Sequence, residues 1–186
     1  MSSPFEIEGY AIASADGMIA GPDGVMPKNL QYEADRIFFE GALENVDLVA
    51  HGRHSHEGHP NSPARRRFWM TRSVAALELL PGESRQWNWN PEGMPLEDAC
   101  RATGLTSGRI GIIGGTSAYD LFLPVYHAFY LCRAEHVRIP GGTPVFSAIR
   151  QGQSAEQVLQ NNFMSPEPKR TLDAAEGVTL TRWVRL

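Results

Sequence analysis

Cysteine is scarce in this chain of 186 residues, which has only Cys100 and Cys132. Two cysteines cannot form a disulfide framework in a chain of this length, so the sequence predicts a protein that folds without disulfides in a reducing cytoplasm. Long apolar runs are also missing, since no stretch approaches the ~20 residues needed to cross a bilayer. The chain starts without a basic segment followed by an apolar one, so we expect neither a secretory signal nor a membrane partner.

A strong excess of one charge is missing too. The formal net charge is −4, which argues against a nucleic-acid partner, and the basic run at residues 65–67 is too short to change that expectation. The 18 glycines and 13 prolines are dispersed, which excludes a low-complexity or collagen-like chain. A chain of this size buries ~70% of its unfolded surface, and we expect a single domain over residues 1–186.

Segments typical of strands and of helices alternate along the chain. The hydrophobic pattern predicts strands at 7–13, 46–50, 67–72, 109–113, 126–133 and 178–185, and helices at 31–44, 95–103 and 116–123. This alternation predicts one α/β domain with a central, mostly parallel sheet, an antiparallel C-terminal strand and flanking helices. For the last strand the sequence leaves two alternatives open: the edge of the sheet, or pairing with a second subunit in a homodimer.

In the helix predicted at 31–44, the apolar residues at helical spacing are Ala34, Ile37, Phe38, Gly41 and Ala42. Residues 81–95 are polar and rich in turn-forming residues, and the alternation at 87–90 predicts a half-exposed strand.

Three predicted strands end in residues suited to phosphate. These residues are Gly52, Arg53, His54 and Ser55 after the strand at 46–50, Thr71 and Arg72 at the end of the strand at 67–72, and Gly114, Gly115, Thr116 and Ser117 after the strand at 109–113. Arginine makes bidentate phosphate contacts, and the two glycines let a ligand approach the backbone at the start of a helix. Each group alone is also typical of an ordinary turn or surface. Together they predict a dinucleotide along the carboxyl edge of the sheet.

A candidate proton donor lies on the helix predicted at 31–44. Asp35 would be a poised acid if this helix lines a cleft, because burial raises the pKa of a carboxyl group. Its neighbour Glu33 is the alternative.

The histidines raise the question of a metal. Four of them, His51, His54, His56 and His59, fall within nine residues. Zinc sites use such ligands, but this spacing fits zinc motifs loosely, and side chains on a strand that leads into a helix diverge. We therefore expect no metal site.

Six short segments occur in a fixed order along the chain: Ala15-Asp16-Gly17-Met18-Ile19, Met26-Pro27-Lys28-Asn29-Leu30, Gly52-Arg53-His54-Ser55-His56-Glu57, Arg65-Arg66-Arg67-Phe68-Trp69-Met70-Thr71-Arg72, Ile112-Ile113-Gly114-Gly115-Thr116-Ser117-Ala118-Tyr119 and Leu121-Phe122-Leu123-Pro124. In this order and spacing they resemble the dihydrofolate reductase family, over about residues 9–135. It implies a cytoplasmic NADPH-dependent oxidoreductase of folate and one-carbon metabolism that transfers a hydride to a pterin such as dihydrofolate.

The resemblance also implies roles for individual residues. The acid would hydrogen-bond the pterin and promote its protonation. Counting from Leu30 favours Glu33 as this acid, whereas counting back from Phe39 favours Asp35. We choose Asp35, because i, i+4 spacing puts it on one helical face with Phe39. Residues 26–30 would form a mobile loop that closes over the nicotinamide and the substrate.

The remaining assignments follow from the same resemblance. Substrate would be bound by Ile12, Lys28, Leu30, Phe39, Arg65, Ile113, Tyr119 and Cys132, with Arg65 placed for a carboxylate of the folate tail. NADPH would be bound by Ala13, Ile19, Gly52, Arg53, His54, Ser55, Thr71, Arg72, Gly114, Gly115, Thr116 and Ser117.

The sequence departs from the dihydrofolate reductase pattern at three places. Lys28 replaces the usual tryptophan of the mobile loop, and Cys132 replaces a threonine that supports the acid. Residues 141–146 look more like the reductase domain of riboflavin biosynthesis, whose substrate is a phosphoribosylamino-pyrimidine, and Lys28 would suit that phosphate. Reduction of this sugar phosphate is therefore one alternative function. A nucleotide-binding module without catalysis is another.

Overall fold

A ten-stranded sheet runs through the molecule. The computed structural model describes residues 3–55 and 62–186, and the elements named below belong to that part of the chain. The strands are β1 (Phe5–Ser14), β2 (Met18–Ala20), β3 (Leu48–Gly52), β4 (Arg67–Met70), β5 (Leu77–Leu79), β6 (Gln86–Trp89), β7 (Gly108–Ile112), β8 (Ala128–Ala134), β9 (Thr143–Pro144), β10 (Met164–Pro166), β11 (Arg170–Asp173) and β12 (Val178–Arg185). The helices are α1 (Glu33–Leu43), α2 (Leu96–Ala102), α3 (Thr116–Phe122) and α4 (Ala155–Asn161), with 3-10 turns at Lys28–Leu30, Ser62–Ala64 and Ser147–Gln151.

The middle of the sheet is parallel and its two ends are antiparallel. The strand order is β10-β12-β8-β1-β7-β3-β4-β6-β5, with β11 also beside β12. All neighbours from β8 to β6 pair in parallel, whereas β12 pairs antiparallel with β8, and β5 pairs antiparallel with β6. This arrangement confirms the predicted α/β fold with a mostly parallel sheet and an antiparallel C-terminal strand.

The C-terminal strand β12 is not a free edge. It pairs with β8 on one side, and with β11 and β10 on the other. The sequence offered no signal for β10 and β11 because they are short and cover few apolar residues.

Helices cover both faces of the sheet. Alternate residues of β1 point to opposite faces, and apolar residues on each face pack against helices. One core contains Phe5 and Ile7 of β1 together with buried residues of α2, α3 and α4. On the other face, Tyr10 packs with Leu43 of α1 and Val49 of β3. A parallel sheet is stable when both of its faces are covered in this way.

The buried face of α1 differs from the predicted one. Ile37 is 61% exposed and Gly41 is also exposed, so neither contributes to the core. The inward stripe consists instead of Asp35, Phe38, Phe39, Ala42 and Leu43. These positions follow the i, i+3, i+4, i+7, i+8 spacing of one helical face. The first residue of an otherwise apolar stripe is therefore a carboxylic acid.

Two further elements, β6 and α4, each have a signal in the sequence. The strand expected at 87–90 is present as β6, with Trp89 buried at 1% exposure and Trp87 half-buried. Helix α4 was not predicted, although Ser154 and Gln157 form a capping box at its start, which is a signal that sequence can provide.

Across residues 3–55 and 62–186, every helix is too short or too polar to pass through a membrane.

The central strand β1 leads to a prediction about stability. A Cβ added at Gly9 would lie 2.3 Å from the ring of Phe129, which is fully buried and in ring contact with Tyr119, Tyr126 and Phe146. We expect Gly9→Ala to lower the free energy of unfolding by about 1–3 kcal/mol, because the ring has no room to move. Chemical denaturation of both proteins measures this difference.

Gly41→Ala is the matched control. Gly41 lies in α1 with no atom within 4 Å of an added Cβ. Alanine should raise stability there by about 0.5–1 kcal/mol through helix propensity. Equal effects at the two positions would contradict the packing argument.

Candidate functional site

Two turns meet at the carboxyl edge of the sheet, one after β3 and one after β7. The backbone N–H of Gly52 donates a hydrogen bond to the carbonyl oxygen of Gly114 at 2.7 Å. A Cβ added at Gly114 would lie 3.2 Å from both Ser55 Oγ and the Tyr119 hydroxyl, and the residue has a φ of +116°. Only glycine combines this backbone conformation with so close an approach. The predicted phosphate groups at 52–55 and 114–115 are therefore adjacent in space.

The turn at 52–55 exposes a cation and backbone donors. Ser55 N–H donates to the carbonyl of Gly52 at 3.2 Å, which closes the turn. Arg53 and His54 between them are exposed, and within the described ranges Arg53 has no hydrogen-bond or ion-pair partner. Backbone amides in such a turn form a concave surface that binds anions.

The third predicted strand end is arranged differently. The hydroxyl of Thr71 is 2.9 Å from Ser73 Oγ, and Thr71 is itself buried. The side chain of Arg72 is 83% exposed and forms a 3.0 Å ion pair with Glu92. Arg72 is therefore partly neutralised where Arg53 is not.

The residues after the diglycine hold the next segment in place. Thr116 Oγ1 donates a 2.5 Å hydrogen bond to the carbonyl of Pro144, which ties the start of α3 to β9. Ser117 is exposed, and Gly115 is half-buried with Ser55 Oγ as the contact of an added Cβ, at 3.3 Å. The Thr116 hydroxyl is thus occupied, whereas Ser117 and the backbone of Gly115 are open to a ligand.

Asp35 points toward the sheet and Glu33 does not. The Asp35 carboxyl group faces the thiol of Cys132, and hydrogen bonding by this thiol lowers the pKa of Asp35. Burial raises the pKa of Asp35 and outweighs the opposite effect of the Cys132 hydrogen bond. Glu33 is exposed, and its ion pair with Arg36 at 2.5 Å lowers its pKa. Of the two candidate acids, Asp35 is the one with the environment of a proton donor.

Tyr119 connects the acid to the diglycine. Its hydroxyl donates a 2.5 Å hydrogen bond to the carbonyl of Tyr10, and its ring is buried. Burial raises the pKa of Tyr119, and the charge of Asp35 raises it further. Tyr119 also lies next to Gly114, so the acid and the glycine turns belong to one region.

Two apolar clusters lie on the same side of the sheet as this acid. Ile12, Leu30 and Cys132 share one buried cluster on the α1 side of the sheet, and Phe39 and Ile113 pack against the neighbouring cluster of Tyr10, Leu43 and Val49. Ala13 is fully buried on the opposite side of β1, and Ile19 packs partly buried against that same core. The substrate residues expected beside the acid are brought together, whereas Ala13 and Ile19 lie in another layer.

The two cationic residues that were expected to bind substrate have different environments. Lys28 is exposed on the 3-10 turn before α1. Arg65 donates to the carbonyl of Leu43 at 2.7 Å and pairs with Glu44 at 2.9 Å, so it caps the carboxyl end of α1. It lines an open cavity of about 400 Å³ at the amino ends of β3 and β4, on the edge of the sheet away from the glycine turns.

The histidines do not assemble as metal ligands in the part of the chain that the structure describes. His51 is fully buried against Arg67 and His54 is exposed, whereas His56 and His59 lie outside the described residues. Residues 3–55 and 62–186 contain no group of three or more metal-ligating side chains.

Sequence reasoning missed several residues that do not line the site but support the residues that do. Tyr10 stacks on Tyr130 with ring centroids 4.9 Å apart and supports the Tyr119 hydroxyl. Period-2 alternation in β1 places Tyr10 on the same face as Ile12, so the sequence contained this signal. The His51–Arg67 pair had no such signal, because it joins side chains of two different strands.

Comparisons with known proteins agree on the fold. No family model and no curated protein sequence matches the chain. Among solved structures, a riboflavin biosynthesis protein from Shewanella sp. PV-4 is 18% identical, with a TM-score of 0.64 over 97% of this chain and 99% of the other. Dihydrofolate reductase from Enterococcus faecalis, solved with NADP(H), is 13% identical, with a TM-score of 0.61 over 97% and 96%.

A third similar structure is a larger protein. The diaminohydroxyphosphoribosylaminopyrimidine deaminase/5-amino-6-(5-phosphoribosylamino)uracil reductase from Thermotoga maritima is 13% identical, with a TM-score of 0.65 over 97% of this chain. This chain spans 56% of that protein. The element order, the parallel sheet and these three neighbours together identify the chain as a protein with the dihydrofolate reductase-like fold.

Proposed function

We propose that this protein is an NADPH-dependent reductase that transfers a hydride to a C=N bond of a reduced pterin such as dihydrofolate. The observation that carries the proposal is a half-buried carboxyl group with a raised pKa, Asp35, whose charge affects Tyr119 beside the glycine turns. A reductase of this type needs a binding site for a phosphorylated cofactor and a proton donor beside it. The similar structures, a dihydrofolate reductase and two proteins of riboflavin biosynthesis, support this class of reaction.

The glycine turns fit NADPH. A side chain at Gly114 would fill the space against Ser55 and Tyr119, and the turn at 52–55 offers a cation and backbone amides to phosphate. Gly52, Arg53, His54, Ser55, Gly115 and Ser117 would hold the phosphates. When bound, NADPH supplies the hydride.

Asp35 would supply the proton for the same reaction. The substrate carbon gains the hydride, the C=N π bond breaks, and the nitrogen takes a proton that originates from Asp35. Burial keeps this carboxyl protonated at a higher pH than an exposed one, because its pKa is raised. Leu30 and Phe39 would exclude water from the pterin ring.

A second candidate substrate is a phosphoribosylamino-pyrimidine. Two observations favour it: Lys28 is exposed before α1, where a phosphate can reach it, and Arg65 is already bonded to Leu43 and Glu44. This reaction would depend on Lys28 and would not require the acid. NADPH oxidation, followed by absorbance with each substrate offered in turn, distinguishes the two. Tight NADPH binding without turnover on either would indicate a nucleotide-binding module instead.

The first prediction from the proposed function concerns Asp35→Asn. The reaction needs the protonated acid, so kcat/KM with dihydrofolate should fall as pH rises through the raised pKa of Asp35. The asparagine variant cannot donate this proton, and we expect a loss of about 100-fold with a flat pH profile. Steady-state kinetics from pH 5 to pH 9 measures both effects.

Glu33→Gln is the matched control for this experiment. Glu33 is exposed and paired with Arg36, so its loss should leave the rate and the pH profile unchanged. A pH profile that changes with Glu33 and not with Asp35 would reverse the assignment.

A second prediction concerns stability, and it does not depend on the substrate. The pKa of Asp35 is higher in the folded protein than in the unfolded chain, so its contribution to stability is complete below the unfolded pKa and is lost as pH rises through the folded pKa. Asparagine is neutral throughout. The melting temperature of Asp35→Asn relative to the wild type should therefore increase from pH 4 to pH 8, and a constant difference would exclude a raised pKa.

A third prediction concerns the cofactor. Arg53 lacks an ion-pair partner within the described ranges, whereas Arg72 is paired with Glu92. We expect Arg53→Ala to weaken NADPH binding by about tenfold and Arg72→Ala by only about twofold, because loss of a charge-assisted bond costs more when the cation is unpaired. Calorimetry with NADPH and NADH at two salt concentrations measures this. An equal loss for both cofactors would contradict a contact with the 2′-phosphate.

A further inference from the structure

His51 is buried directly behind the proposed phosphate-binding turn. It is the fourth residue of β3, with 0% exposure, and it immediately precedes Gly52. Its Nδ1 atom lies 2.7 Å from the carbonyl oxygen of Gly52. Its Nε2 atom lies 2.6 Å from Nη1 of Arg67.

These two contacts determine the protonation state of the ring. A carbonyl oxygen can only accept a hydrogen bond, so Nδ1 must carry a proton. A guanidinium nitrogen can only donate, so Nε2 must be unprotonated. His51 is therefore a neutral imidazole in the Nδ1–H form, and it donates to Gly52 while it accepts from Arg67.

Arg67 holds the ring from the other side. Its side chain is 1% exposed, its Nη2 donates to Ser62 Oγ at 2.8 Å, and its guanidinium lies 6.0 Å from the centre of the Trp69 ring. The Trp69 ring also contacts His51 edge-on, with centroids 4.5 Å apart. With its ring packed and bonded at both nitrogens, His51 cannot rotate without breaking a buried hydrogen bond.

The carbonyl of Gly52 connects His51 to the turn at residues 52–55. It accepts from His51 Nδ1 and also from the N–H of Ser55. Within the described ranges, no backbone carbonyl accepts a hydrogen bond from the amides of Arg53 and His54 between them. If the Gly52 carbonyl turned outward, its negative end would face an anion in place of these donors.

We propose that His51 is a positioning residue for cofactor binding, in which its Nδ1–H holds the Gly52 carbonyl inward so that the turn presents only N–H groups to phosphate. This inference rests on the proposed function, because it takes the turn as the site of the cofactor phosphates. His51 itself does not contact the ligand. Its effect passes through one carbonyl group.

Two substitutions separate the two hydrogen bonds of the ring. In His51→Asn the amide nitrogen takes the place of Nδ1 and still donates to Gly52, but the bond to Arg67 is lost. In His51→Gln the amide reaches the position of Nε2 and still meets Arg67, but the donor to Gly52 is lost. Each variant loses one of the two hydrogen bonds described above, so a purely structural role predicts similar melting temperatures and similar NADPH binding for the two.

The experiment measures the dissociation constant of NADPH by fluorescence titration, together with the melting temperature of each protein. We expect His51→Gln to weaken NADPH binding by about tenfold and His51→Asn to stay within about twofold of the wild type, as the loss of one oriented hydrogen bond predicts. Equal weakening in both variants, no weakening in either, or weakening in His51→Asn alone would each overturn the proposal.

A measurement on the wild-type protein keeps the proposal testable if a variant fails to fold. Two-bond ¹H–¹⁵N correlation spectra of the free protein report the tautomer of His51 directly. We expect the Nδ1–H form, and an Nε2–H form or a charged ring at pH 7.5 would overturn the proposal. If the wild-type protein shows the Nδ1–H form but binds no NADPH, the proposed function fails, and the positioning role fails with it.

Discussion

The hydrogen bond from the Gly52 amide to the Gly114 carbonyl joins the two turns on which the candidate site depends. It forms because β3 and β7 are parallel neighbours and therefore end at the same edge of the sheet. Neither turn alone distinguishes a ligand site from an ordinary connection. Held together, they create a surface of glycine backbone, with Ser55 against Gly114 and an exposed cation at Arg53. The rest of the site is organised around this surface.

Charge is distributed unevenly around that edge. The acid Asp35 is half-buried near the Cys132 thiol, and desolvation raises its pKa and so favours its neutral form. The cations at the turns are exposed, and they differ in whether a carboxylate already neutralises them. An acid with a raised pKa on the inner side of α1 and an exposed, unpaired cation at the turn suit a reaction that needs both a proton and a bound anion. Arg65, by contrast, is bonded to the carboxyl end of α1. The buried pair of His51 and Arg67 supports the turn at residues 52–55 from inside the protein.

The prediction from sequence was most successful where the signal was local. Apolar runs and glycine breaks located the long strands and the start of α3, because strand and helix periods are read within one segment. The face of α1 was misjudged at Ile37 and Gly41, although the correct spacing from Asp35 to Leu43 is present in the sequence. Helix α4 was overlooked despite its capping box. Strands β10 and β11 could not be predicted, because three or four residues carry too little pattern.

By itself the sequence determined the α/β class, the parallel middle of the sheet, the three strand ends and the two candidate acids, because each depends on residues close together in the chain. Only the tertiary structure decided which acid is enclosed. Glu33 and Asp35 are two residues apart, and the packing of α1 against β1 and β8 turns one toward Cys132 and the other toward solvent. The structure also decided which arginine is paired and which carbonyl His51 holds. Pairing and burial depend on residues from distant segments, and no local pattern encodes them.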